Sequence, residues 1–312
     1  MNARRWGLSL VVALSLTAVV VAVGAWRARL PRQTDDAAPS AAAPHRIASL
    51  TLAGDEILSA LVPADRVVCV THLADDPEIS NVPDVYPRSI PRVRAAETER
   101  IVAMSPDLVC VASYNSADSL ELLRRSGLPV YQHNDCQSID EIEANILDFG
   151  TRIGEAARAA KIVGSMRERR QRLAEKLRQI TNRPRVLFWS AGFTSGTKTP
   201  MDDIIREAGG VNVGAERGLE GTVEISPEQV IAANPTFVLQ SCWSADEHER
   251  SIDHHPLLRN LEAVRENRVI TIEGKYLSAL SQYVIEGAER LARQLHADRF
   301  PDDRPATPAN ER

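Results

Sequence analysis

Ser195, in the glycine-rich segment AGFTSGTKT that also carries Lys198, is the chain's candidate nucleophile. The segment has the spacing neither of a phosphate-binding loop, GxxxxGK followed by Ser or Thr, nor of a nucleophile elbow, GxSxG. A hydrolase built on Ser195 is therefore the weakest reading of the chain. His254 and His255, next to Asp253, come nearest to a metal-binding group, but they precede a helix predicted at Pro256 and read as a surface loop. The first half holds no His, Asp and Glu cluster with the spacing of a bare zinc or manganese site. Cys69, Cys110, Cys136 and Cys242 fit no zinc motif. The first two sit in apolar strand-like runs, as small buried hydrophobes do. Cys136 and Cys242 fall in predicted loops, where an oxidising compartment permits a disulfide or leaves two thiols. What remains are groups that grip rather than react. Tyr114 and Trp243 offer flat surfaces, and Arg217 and Lys275 can neutralise an anionic ligand. Tyr114, His72 and His133 are of the types that ligate haem iron, although a hydrogen-bonded loop side chain is the ordinary role of each histidine. The chemistry expected is capture, with no catalytic residue and no cofactor assigned.

The elements that must position these groups follow from hydropathy patterning. IASL near residue 47, RVVCV near 66, DLVCVA near 107 and PVYQ near 129 are short β-branched runs alternating with helical patterns. RVLFWS at 185, TFVLQS at 236 and RVITIE at 268 repeat the plan. Such alternation predicts parallel sheets covered by helices, hence two α/β lobes at residues 45–150 and 184–300. Between them, residues 155–181 hold no proline and carry one apolar stripe, Ala156, Ala159, Val163, Met166, Leu173, Leu177 and Ile180. This predicts a single long helix, within a connector at residues 151–183, of about 40 Å at 1.5 Å per residue.

The 312 residues are 44% hydrophobic with a net charge of -5, which gives no broad basic surface for nucleic acid. Arg4 and Arg5 precede an apolar run from Trp6 to Trp26, so residues 1–30 read as an export signal or an uncleaved membrane anchor. Residues 31–44 have the composition of a flexible tether, and residues 301–312 that of a disordered tail.

An internal repeat carries further information: ERIVAMSPDLVCVA at 99–112 matches EQVIAANPTFVLQS at 228–241 without a gap. Each copy reads as a short helix, a proline-containing turn and a strand. Thr98 and the Ser226-Pro227 pair are the predicted caps, which puts Glu99 and Glu228 in first helical turns, where negative charge is favoured. On that ground alone they are dipole-complementing surface glutamates.

RIASLTLAGDEILSAL at 46–61, RVVCVTHLADDP at 66–77, ERIVAMSPDLV at 99–109, GLPVY at 127–131, IIREAGGVNVG at 204–214, SPEQVIAANP at 226–235 and LEAVRENRVITI at 261–272 follow in order. Together they resemble the periplasmic (class III) substrate-binding proteins of ABC transporters for cobalamin, iron siderophores and haem. The resemblance implies two Rossmann-like lobes joined by one rigid helix, a ligand cleft between them, and binding of a metal chelate rather than catalysis. It implies an extracytoplasmic monomer working with a permease dimer and its ATPase subunits. In that family one glutamate per lobe docks onto permease arginines, which carries over to Glu99 and Glu228.

Ligands of open parallel sheets bind beyond the carboxyl ends of the strands. The expected cleft residues are Thr51, His72, Tyr114, Asn115 and His133 from the first lobe, with Phe193, Arg217, Trp243, Lys275 and Tyr276 from the second. A membrane-anchored sensor or scaffold of the same fold is the alternative that the N-terminal run leaves open.

Overall fold

The computed structural model describes residues 43–243 and 251–301. The signal or anchor, nearly all of the tether and the tail beyond Pro301 lie outside the described residues. Among the described residues, no helix is long and apolar enough to cross a membrane.

The first lobe is a five-stranded sheet of β1 (Ile47–Ser49), β2 (Val67–Thr71), β3 (Arg92–Val93), β4 (Leu108–Ala112) and β5 (Val130–His133), in the order β3-β2-β1-β4-β5. Every pair is parallel. Parallel neighbours need crossovers, and here these are α1 (Leu52–Leu61), α2 (Thr98–Ala103) and α3 (Ala117–Arg125), with α4 (Ile139–Arg152) after the last strand. Strand β4 is buried along its whole length, which explains its unbroken apolar run.

A single helix, α5 (Ala156–Leu177), leads to the second lobe. There β6 (Arg185–Phe188), β7 (Phe193–Ser195), α6 (Pro200–Glu207), β8 (Val211–Asn212), α7 (Val213–Glu216), β9 (Thr222–Glu224), α8 (Pro227–Ala233), β10 (Phe237–Cys242), α9 (Glu262–Arg265), β11 (Val269–Glu273), α10 (Gly274–Leu277) and α11 (Val284–Leu295) follow. The main sheet is parallel in the order β11-β10-β6-β8, and β7 pairs antiparallel with β9 beside it. All seven expected strands are present. Unforeseen were β3, β7, β8 and β9, which are two or three residues long and carry no apolar run that could announce them.

The connector is shorter than expected: its 22 residues span about 33 Å. Its buried stripe is Ala159, Val163, Met166, Leu173 and Leu177, whereas Ala156 is exposed and Ile180 lies past the helix end. Helix α5 packs against α4, where a Cβ on Gly150 would stand 2.3 Å from that of Ala159, so only glycine allows this approach. Arg170 of α5 binds Asp140 and Glu143 of α4 on one side and Glu207 of α6 on the other. Arg169 binds Glu286 and Glu289 of α11. The two lobes are not separate cores. One buried cluster runs from Ile47 and Phe149 through Val163 to Ile205 and Leu291, with a smaller cluster in each lobe.

Candidate functional site

A cavity of about 170 Å³ opens at the carboxyl edge of the first sheet. Thr51 and Ala53 line it after β1, Ala112 and Tyr114 after β4, and His133 to Cys136 at the end of β5. Asn145 of α4 closes one side, and Leu280, from the loop between α10 and α11, closes it from the second lobe. The cavity thus lies at the strand ends of the first lobe, with Leu280 reaching it from the second.

Thr51 caps α1 by accepting the Gly54 N–H at 2.9 Å and is buried. A Cβ on Gly54 would stand 2.6 Å from Ser49 Oγ and 2.8 Å from Thr51 Oγ1, so this glycine lets the helix start tight against the sheet, at the cavity wall. Tyr114 is 50% exposed and forms the mouth. Its phenol end points inward: burial there raises its pKa above the ordinary value, with the nearby Cys110 and Asp55 adding and the Thr51 hydroxyl opposing. His133 lies deeper. Its ring stands edge-on to Tyr131 and Phe149 at 5.1 and 5.0 Å, and Nε2 has no hydrogen-bond partner among the described residues. Burial lowers its pKa to about 4, so a neutral imidazole lies behind the cavity.

Two of the expected first-lobe residues do other work. Asn115 is buried, accepts the Ala112 N–H at 2.7 Å and donates to the Leu50 carbonyl at 3.3 Å, tying down the loop that carries Tyr114. His72 is exposed at the start of a short 3₁₀ turn (His72–Asp75) and does not line the cavity, so it does not join Tyr114 and His133. Conversely, Cys136, Asn145 and Leu280 were not anticipated as lining residues. A buried amide on an apolar helix face is the one signal that points to Asn145, which donates to Asn134 O at 2.8 Å and Cys136 Sγ at 3.0 Å. Burial pushes the Cys136 thiol up to about 12, and all four cysteines are free thiols.

None of the expected second-lobe residues lines this cavity. Lys275 donates from Nζ to the Pro77 carbonyl of the first lobe at 2.8 Å and so links the two lobes. Tyr276 is half-buried, with the Arg290 guanidinium 4.1 Å above its ring. Trp243 is partly buried with its indole against Gly274, where a Cβ would fall 2.3 Å from Cε2. It therefore packs against its own lobe. Phe193 is half-buried on β7, and Arg217 is exposed at the end of α7 with no ion pair to a described residue. Ser195 is buried, its hydroxyl 3.4 Å from Thr222 Oγ1, and Lys198 pairs with Glu220 at 2.6 Å. No base addresses the Ser195 hydroxyl among the described residues. His255 accepts the Leu257 and Leu258 N–H groups, as a structural loop residue does. No group of three metal-donor side chains occurs among the described residues.

The sequence reading also passed over the acidic pair on α1. Asp55 is fully buried and accepts from Thr71 Oγ1 at 2.5 Å and from the Thr71 N–H at 3.2 Å, while burial raises its pKa to about 8. Glu56 lies at the lobe seam, where burial raises its pKa as well.

Glu99 and Glu228 are both exposed in first helical turns. In both copies of the repeat the helix is followed by a left-handed residue before proline, Ser105 (φ 50) and Asn234 (φ 41). Each helix descends to the start of β4 or β10, so its N-terminus points toward the carboxyl edge of its sheet. Ser226 caps α8 in a capping box with Gln229, and its hydroxyl lowers the Glu228 pKa. Thr98 is not the cap of α2 but its first helical residue, and it is buried; Glu97 holds the cap position without a side-chain bond.

Over residues 47–276 the chain matches the model of the periplasmic binding protein family. An ABC-transporter substrate-binding lipoprotein of Bacillus subtilis is 24% identical over 273 residues, covering 83% of this chain and 82% of the relative. A vitamin B12-binding protein of Vibrio campbellii is 25% identical over 222 residues, covering 68% and 76%. Among solved structures, a periplasmic haem-binding protein of Roseiflexus superposes with a TM-score of 0.68 at 26% identity, covering 82% of this chain and 99% of that chain. With the match spanning both sheets, the connecting helix and the first-lobe wall of the cavity, the chain belongs to the periplasmic binding protein family.

Proposed function

We propose that this protein is the extracytoplasmic substrate-binding component of an ABC importer, capturing a ferric siderophore, cobalamin or haem and passing it to a permease dimer driven by ATPase subunits. The observation that carries the reading is the cavity at the carboxyl edge of the first sheet, closed by Leu280 of the second lobe, in a chain of this family. Relatives named for cobalamin and haem supply the cargo class. The cavity, at about 170 Å³, is below the ~300 to 1,000 Å³ of ordinary small-molecule sites. A large chelate therefore inserts one part and rests the remainder on the exposed Tyr114 ring at the mouth. Glu99 and Glu228 are the docking residues: exposed charges at the cleft-side ends of equivalent helices orient the molecule on a pseudo-symmetric permease and speed encounter.

Titration with cyanocobalamin, haemin and ferric hydroxamate and catecholate siderophores, followed by tryptophan quenching, tests the reading. Saturable submicromolar binding of one class is the expected result. No saturable binding by any would overturn it and favour the anchored-sensor reading, which the apolar run at residues 6–26 motivates.

A further inference from the structure

We infer that a polar clasp centred on Glu56 fixes the spacing of the two lobes and thereby the height of the ligand cavity, with Ser281 and Lys275 as its second-lobe jaws. The inference deepens the binding-protein reading and rests on it for its ligand arm.

Helix α5 and the shared apolar core tie the lobes, supported by Arg170 and by the Ile139 N–H donating to Asp203 at 2.9 Å. A second tie lies at the cavity. Glu56 is 2% exposed and has both carboxylate oxygens engaged. Oε1 accepts from the Asn81 N–H at 3.0 Å and from Asn81 Nδ2 at 2.8 Å, and Oε2 accepts from the Ser281 hydroxyl. The Glu56 carbonyl accepts from Gln282 Nε2 at 2.8 Å. Asn81 Nδ2 reaches the Lys275 carbonyl at 3.0 Å, and Lys275 Nζ reaches the Pro77 carbonyl at 2.8 Å. Ser281, Gln282, Lys275 and Asn81 thus each make a hydrogen bond from one lobe to the other.

Position gives the clasp its role. Ala53, three residues before Glu56, and Leu280, immediately before Ser281, are cavity-lining residues of opposite lobes. The clasp therefore sits directly behind the point where the two walls meet. A buried carboxylate is a costly way to join two surfaces, and apolar residues of the same volume hold packed elements at least as firmly. What the carboxylate adds is a fixed geometry, because its partners are satisfied at one lobe spacing and left unpaired at others. Held by the strut on one side and the clasp on another, the cavity is preorganised and ligand binding spends little on ordering the lobes.

The test reads lobe spacing directly. Spin labels at Leu122→Cys in the first lobe and Arg265→Cys in the second, in a Cys136→Ser, Cys242→Ser background, report the interlobe distance by pulsed dipolar spectroscopy. A single narrow distribution is expected. It broadens in Glu56→Ala and in Ser281→Ala with Lys275→Met, and stays narrow in Glu56→Gln, whose amide can still donate to the Ser281 hydroxyl. The small deletions at Ser281 and Lys275 keep the test alive should Glu56→Ala not fold. Unchanged width in the Ser281→Ala, Lys275→Met variant overturns the clasp. In the otherwise unaltered protein, whichever of cyanocobalamin or haemin binds should dissociate roughly tenfold faster from that variant. An unchanged dissociation rate overturns the link to capture. If neither probe binds the parent protein, cobalamin and haem are excluded as cargo while the distance measurement still decides the clasp.

Discussion

Asp55→Asn should flatten the pH dependence of stability between neutrality and pH 8. Burial raises the Asp55 pKa from 3.8 to about 8, so the folded protein holds a proton there that the unfolded chain has released. A raised folded pKa contributes stability that is complete below the unfolded value and is lost as pH climbs to the folded one. The slope for one proton is about 1.4 kcal/mol per pH unit. His133 acts in the opposite sense, since its pKa falls from 6.5 to about 4 and the stability lost on acidification through that range returns as pH rises. The two effects oppose each other below pH 6.5. Above it the carboxyl dominates, and from pH 6.5 to 8 the loss amounts to about 2 kcal/mol, a sizeable part of the ~5 to 15 kcal/mol that holds a typical domain folded. Asparagine matches the protonated carboxyl in shape and can still accept from Thr71. Urea denaturation of parent and variant at half-unit pH intervals, read by tryptophan emission, measures the difference. The parent should lose stability relative to the variant by about 2 kcal/mol across the window. Parallel curves would refute the claim that Asp55 is protonated in the folded state.

Reversing both docking charges, Glu99→Arg with Glu228→Arg, should abolish uptake in cells while leaving ligand affinity of the purified protein unchanged; retained uptake or lost affinity would show the assignment to be wrong. Tyr114→Ala should weaken ligand binding by about 0.5 to 1.5 kcal/mol, the worth of one aromatic contact, without lowering the melting temperature, since half of the side chain is already in water. Gly274→Ala should displace the Trp243 indole, because the new Cβ would stand 2.3 Å from it, at a cost of about 1 to 3 kcal/mol and with a shift in tryptophan emission. Unaltered emission and stability would show that the indole does not rest there.

How much of the molecule could be read in the chain depends on how local each interaction is. A strand buried on both faces announces itself because it must be apolar along its length, as LVCVA of β4 is. The connector shows as a stripe because one face of α5 meets α4 and the shared core. The repeat survives down to its left-handed residues, Ser105 and Asn234, since each must turn the chain ahead of a proline. Thr51, Tyr114 and His133 were placed at the site by the rule that ligands bind beyond strand ends, and all three line the cavity. The same rule overreached at His72 and Asn115, because it names loops and not the direction in which a loop side chain points.

Fold class, lobe order, the joining helix and the family were properties of the residue pattern, since each rests on periodicity or on short motifs within a few tens of positions. The seam was not. Glu56, Asn81, Lys275 and Ser281 are separated by up to 225 positions, and nothing in their neighbours marks them as partners. Lys275, expected to meet an anion, donates to a carbonyl of the other lobe, and Asp55, which carries no signal in the sequence, is a buried acid whose pKa burial raises to about 8. Charge state and partner choice depend on desolvation and on which distant segment arrives alongside, and those exist only once both lobes have packed against each other.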